Sequence, residues 1–122
     1  MSRTRLARMM VAQPLDGKAC AADLEVDLLA RISACSVIPH LTVIIVGDDA
    51  ASQVYVANKI KTCQRLGITS THIALASDSS EEELRQIITE LNHDESVHGI
   101  LVQSPLPGHM DEEALTELIS PA

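Results

Sequence analysis

Apolar and polar positions alternate along the chain in two rhythms. In residues 16–35, "DGKACAADLEVDLLARISAC", Leu24, Leu28 and Ile32 recur at i, i+4 and i+8. Asp23, Glu25, Asp27 and Arg31 lie largely away from that line, which predicts an amphipathic helix. Pro39 follows its end. Residues 41–47, "LTVIIVG", form a continuous β-branched run closed by Gly47, the pattern of a strand covered on both faces. After the turn "DDAAS", a helix is predicted over 52–66, with Gly67 just beyond its C-terminus. A second strand is predicted over 68–76. Next comes a helix that opens on Ser80 and Glu83 as a capping box and turns Leu84, Ile87, Ile88 and Leu91 inward. Its acidic first turn suits the helix dipole. Residues 97–103, "VHGILVQ", read as a third buried strand. "SPLPG" ends it, because neither proline has the N–H a ladder needs. A short last helix is predicted over 111–120, with Asp111 as N-cap.

Strands that alternate with helices imply right-handed crossovers and a parallel sheet. The predicted fold is therefore α/β, a three-layer open parallel sheet with flanking helices. The chain shows no internal repeat, low-complexity segment or linker, so 1–122 is read as one domain or as a piece of a longer protein.

Composition narrows the function classes. There is no Trp or Phe and a single Tyr, so the core must be built from aliphatic side chains. The net charge of −8 argues against nucleic acid or an anionic membrane as partner. No stretch is long enough to span a bilayer. Cys20, Cys35 and Cys63 are odd in number and widely spaced, which suggests neither a disulfide framework nor a zinc site. They are expected as buried reduced thiols in a cytosolic protein. The opening "MSRTRLARMMVA" is read as a frayed basic N-terminus rather than a transit peptide.

One helix carries a lysine out of place. With Val56 at 0° on a helical wheel, Ile60 and Cys63 mark an apolar stripe, while Lys61, Arg65 and Asn58 fall opposite. Ser52, Lys59 and Tyr55 lie on or beside the stripe. In a parallel sheet the ends of the first and third strands share one edge, and this helix starts there. Lys59, Tyr55, Ser52, Gln103 and the "SPLP" loop can thus converge where open α/β sheets bind ligands. A lysine beside an apolar stripe can also send its ammonium to solvent, and a strand-end glutamine can simply cap backbone. Spacing alone does not separate the two readings. Asp48 and Asp49 read as turn and N-cap residues more readily than as metal ligands. Cys63, more than two turns into the helix, reads as an inert core thiol rather than a nucleophile. The five histidines show no metal-ligand spacing, and there is no P-loop or G-x-G-x-x-G.

Four blocks carry a resemblance: "LDGKACA" (15–21), "VGDDAASQVYVANKIKTCQRLGI" (46–68), "LN.D..VHGILVQSPLP" (91–107) and "ISP" (119–121). In this order they resemble the N-terminal catalytic domain of the bifunctional methylenetetrahydrofolate dehydrogenase/methenyltetrahydrofolate cyclohydrolase family. The resemblance implies oxidation of 5,10-methylenetetrahydrofolate with NADP (NAD in some members) and hydrolysis of the methenyl product to 10-formyltetrahydrofolate, in one-carbon metabolism and purine biosynthesis. It implies Lys59 as the catalytic lysine, Gln103 as its partner and Tyr55 as the folate-stacking residue. Ser52 matches the family's serine in the same helix. Pro105, Leu106 and Pro107 match its folate wall. A cytoplasmic homodimer is the implied setting, with a folate as small-molecule partner and no metal.

Two departures stand out. Ala50 replaces a frequent proline, and the sequence stops at Ala122, before the family's K-D-V-D-G block and its NAD(P)-binding Rossmann domain. The chain is therefore expected to be the folate-binding half of a two-domain enzyme. On its own it is expected to bind folate weakly, to bind no NADP and to transfer no hydride. The rival expectation is a non-catalytic module that keeps a folate-like groove and only binds or associates.

Overall fold

The computed structural model describes residues 11–121. Most of the basic N-terminal stretch, residues 1–10, lies outside them. The elements run α1 (Gly17–Ala34), β1 (His40–Val46), α2 (Ala50–Leu66), β2 (Thr69–Leu75), α3 (Glu81–Asn92), β3 (Gly99–Val102) and α4 (Glu112–Glu117). The strands form one parallel sheet in the order β2-β1-β3. Val46 pairs with Leu75, and Ile44 with Val102, so the C-terminal ends of all three strands reach one edge.

Period-two alternation in β1 builds a core on each face. Ile44 and Val46 pack with Leu84 and Ile88 of α3, Leu115 of α4 and Met110. Val43 and Ile45 pack with Val56 of α2 on the other face. These are the three layers the alternation of elements predicts. Each predicted helix stop or start rests on local chemistry. Gly67 ends α2 at φ 80°, in the left-handed region that a side chain disfavours. Ser80 Oγ accepts the Glu83 N–H at 3.1 Å, and Asp111 accepts the Ala114 N–H at 3.1 Å.

Three expectations are corrected. The Leu24–Leu28–Ile32 line of α1 is not buried: α1 contains no buried residue, because α2 already occupies that side of the sheet. α1 borders α2 through Ile32 near Gly67 and an exposed Arg65–Glu25 ion pair at 2.7 Å. The third strand is four half-buried residues rather than a buried seven, since β3 is an edge of the sheet while β1 alone is flanked on both sides. Finally, Cys20 and Cys35 are exposed, and Cys63 alone of the three cysteines is buried. Cys20 and Cys35 lie on and beside the helix that lacks cover.

Candidate active site

The β1–α2 turn brings the chain over the strand ends. Gly47 turns there at φ 92°, and its N–H bonds the Leu75 carbonyl at 2.9 Å. Asp49 then caps α2. Its Oδ2 accepts both the backbone N–H of Ser52 at 2.9 Å and the Ser52 hydroxyl at 3.0 Å. These bonds hold the Asp49 carboxyl below the ordinary carboxylate range, the backbone bond from Ser52 being the first cause. Asp49 is thus the N-cap that its position after a strand suggests.

Along α2, the wheel is realised at Ser52, Val56 and Cys63 but not at Tyr55. Val56, Cys63 and Ser52 are buried, and burial pushes the Cys63 thiol up. Lys59 is half-buried, and Tyr55, further round, is 57% exposed. The Lys59 ammonium stands 5.9 Å from the Tyr55 ring centre, within cation–π range. On the facing strand, the Gln103 N–H continues the ladder to the Ile44 carbonyl at 2.9 Å, which sets the residue at the sheet edge. There Lys59 Nζ donates to Gln103 Oε1 at 2.8 Å, across 44 positions of sequence. A lysine has only donors, so the Gln103 oxygen faces it, and Gln103 Nε2 donates to the Ser104 carbonyl at 3.0 Å.

That carbonyl is a node which sequence reasoning missed. The Ser52 hydroxyl also reaches it, at 3.2 Å. Ser52, 2% exposed, therefore works inward: it ties the α2 N-terminus to the 104–107 loop. A backbone acceptor carries no side-chain signal in the sequence, so spacing gave no means of finding it. Pro105, Leu106 and Pro107 line a hollow of about 300 Å³ with Val46, Gly47 and Asp48. Tyr55, Lys59 and Gln103 thus form one group, the 105–107 residues line a neighbouring hollow, and Ser104 with Ser52 joins them.

Chemically, the first group offers a positioned cation with two N–H donors beyond its bond to Gln103, next to an open aromatic face. The β1–α2 turn is a poor dinucleotide cradle: the Asp49 carboxylate occupies the Ser52 N–H at the helix start, where a pyrophosphate would sit, and Asp48 adds a second acid. Among the described residues, no group of three His, Cys, Asp or Glu could hold a metal ion, and no helix is long and apolar enough to cross a membrane.

Known proteins share this sequence and fold. Residues 15–122 match the family model of the tetrahydrofolate dehydrogenase/cyclohydrolase catalytic domain. The bifunctional protein FolD of Chlorobium chlorochromatii is 49% identical over 112 residues, which is 88% of this chain and 38% of that protein. The 5,10-methylenetetrahydrofolate dehydrogenase of the silkworm Bombyx mori superposes with a TM-score of 0.85 at 40% identity, covering 91% of this chain and 40% of that one. The N5,N10-methylenetetrahydrofolate dehydrogenase-cyclohydrolase of Trypanosoma brucei, solved with NADP and an inhibitor, superposes at 0.80 with 31% identity, over 90% of this chain and 39% of that one. The chain spans well under half the length of each of these relatives. With nearly all of its described residues inside the matched region, the chain belongs to the tetrahydrofolate dehydrogenase/cyclohydrolase family.

Proposed function

We propose that this chain supplies the folate site of a bifunctional enzyme. That enzyme oxidises 5,10-methylenetetrahydrofolate to the methenyl form and hydrolyses it to 10-formyltetrahydrofolate. The observation that carries the reading is the Lys59–Gln103 bond at 2.8 Å beside the exposed Tyr55 ring. Tyr55 offers a flat face on which a pterin or aminobenzoyl ring can stack. Lys59 serves the hydrolytic step as its neutral amine: it takes a proton from the water as the water oxygen bonds the methenyl carbon, and returns it to the ring nitrogen whose bond to that carbon breaks. Gln103 fixes the lysine nitrogen, and residues 105–107 form a wall alongside. Ser52 contributes by holding the Ser104 carbonyl rather than by touching substrate.

The relatives' dehydrogenase names and the NADP of the Trypanosoma brucei structure support NADP as hydride acceptor for the whole protein. NADP supplies the hydride-accepting ring when bound. Among the described residues, the β1–α2 turn does not fit it, because its two acids oppose a pyrophosphate. In this reading a separate NADP-binding domain of the whole protein holds the cofactor. The whole protein is read as a cytoplasmic homodimer that feeds purine synthesis, with 1–122 as its N-terminal catalytic domain.

The test is Lys59→Ala in the whole protein. Hydrolysis of methenyltetrahydrofolate should fall by about 10²–10⁴-fold, the usual contribution of a positioned acid–base group, with the unfolding midpoint of the domain little changed. Native turnover in that variant would refute the catalytic reading and leave Lys59 as a surface lysine bonded to glutamine.

A further inference from the structure

The segment leaving Gln103 is gripped from its far side by Glu112, the first residue of α4. Glu112 Oε1 accepts the Ser104 hydroxyl, and Oε2 accepts the Leu106 N–H at 3.4 Å. The carboxylate thus holds the chain on both sides of Pro105, which has no N–H of its own. On the near side, the Ser104 carbonyl accepts Gln103 Nε2 at 3.0 Å and the Ser52 hydroxyl at 3.2 Å. Ser104 is therefore held at its hydroxyl by Glu112 and at its carbonyl by the amide that faces Lys59. Glu112 is not needed as a helix cap, since Asp111 fills that role.

We propose that Glu112 is a positioning residue for the Lys59–Gln103 pair, a role that rests on the catalytic reading of that pair above. The path is short. The carboxylate sets Ser104, the Ser104 carbonyl fixes Gln103 Nε2, and the opposite end of the same amide holds Lys59 Nζ at 2.8 Å. Without Glu112, the Ser104 hydroxyl and the Leu106 N–H turn to water. The carbonyl then shifts and the amide loses its fixed orientation. The lysine nitrogen moves by a fraction of an ångström, a scale that matters because misplacement by 1 Å can cost a reaction about 10²-fold.

Two readouts test this. The first is ¹H–¹⁵N NMR of the whole protein as Glu112→Ala, Glu112→Gln and Ser104→Ala. The Gln103 side-chain amide signals should move in Glu112→Ala and move alike in Ser104→Ala, which leaves α4 intact. Glu112→Gln keeps an acceptor for Leu106 and a polar partner for Ser104, and should restore much of the native position. The second readout is turnover of the whole protein, where Glu112→Ala should lower kcat for hydrolysis about 10-fold and Glu112→Gln should recover most of it. Unmoved Gln103 signals in Glu112→Ala overturn the proposal. So do signals that move there but not in Ser104→Ala, which would assign the effect to α4, and so does native kcat despite moved signals. Native turnover in Lys59→Ala overturns the catalytic reading separately, whatever the Gln103 signals do.

Discussion

α1 and α2 are helices of nearly equal length, 18 and 17 residues, and each carries an apolar line in its sequence. Their fates differ. α2 buries Ser52, Val56, Cys63 and Leu66, and Val56 is sealed between the helix and the β1 side chains Val43 and Ile45. α1 buries nothing: Leu24 is 58% exposed, and Val26, Leu28 and Leu29 are also open to solvent. Their ends differ too. Both cap N–H groups bond back to the last turn, but α2 stops at a left-handed Gly67, whereas α1 runs out into the extended Cys35. Periodicity names the face of a helix that seeks burial. It does not supply the surface that buries it. Of these two helices, only α2 sets its stripe against a sheet face, and only α2 contributes to the candidate site.

Cysteine chemistry should break this symmetry most strongly. Cys20 and Cys35 are exposed on and beside α1, whereas Cys63 is buried in α2 with its thiol pushed up by burial, which lowers its thiolate fraction. Iodoacetamide followed by mass spectrometry should add two groups quickly. Cys63 should react at least about 10³-fold more slowly, because it waits for unfolded molecules of that rarity. Equal labelling of all three would mean that α2 is no better packed than α1.

Packing energy is the next measure. Val56→Ala removes two buried carbons and leaves a cavity, so it should cost about 2 kcal/mol in urea unfolding. Leu24→Ala in α1 should stay within about 0.5 kcal/mol, as at other open surface sites. A large loss for Leu24→Ala would reveal cover on α1.

The glycines give the finest comparison. At Gly67, φ is 80°, and the nearest atom to an added Cβ, Ile32 Cγ2, is at 3.8 Å, so space is available and only the backbone objects. Gly67→Ala should therefore cost about 1–2 kcal/mol. Gly17 opens α1 with nothing within 4 Å of its added Cβ. Gly17→Ala should be neutral or stabilising by up to about 1 kcal/mol. The same unfolding curves measure both, and equal effects would contradict the assignment of Gly67 as a left-handed stop.

Much of this fold was legible in the sequence. The order of elements, the parallel sheet, the caps at Ser80 and Asp111, the stop at Gly67 and the buried face of α2 all follow from local rules. Backbone preference, cap hydrogen bonds and side-chain period act over a few residues, so a short stretch contains all it needs to specify them. The convergence of Lys59 with Gln103 was foreseeable as a juxtaposition, since parallel strands end on one edge. The bond itself was not, because its partners lie 44 positions apart and its direction depends on how both backbones close. The same limit hid the exposure of α1, the brevity of β3 at the sheet edge, the bond of Ser52 to the Ser104 carbonyl and the grip of Glu112 on Ser104. Burial and hydrogen-bond direction belong to pairs of surfaces distant in sequence, and only the tertiary structure brings those pairs into register.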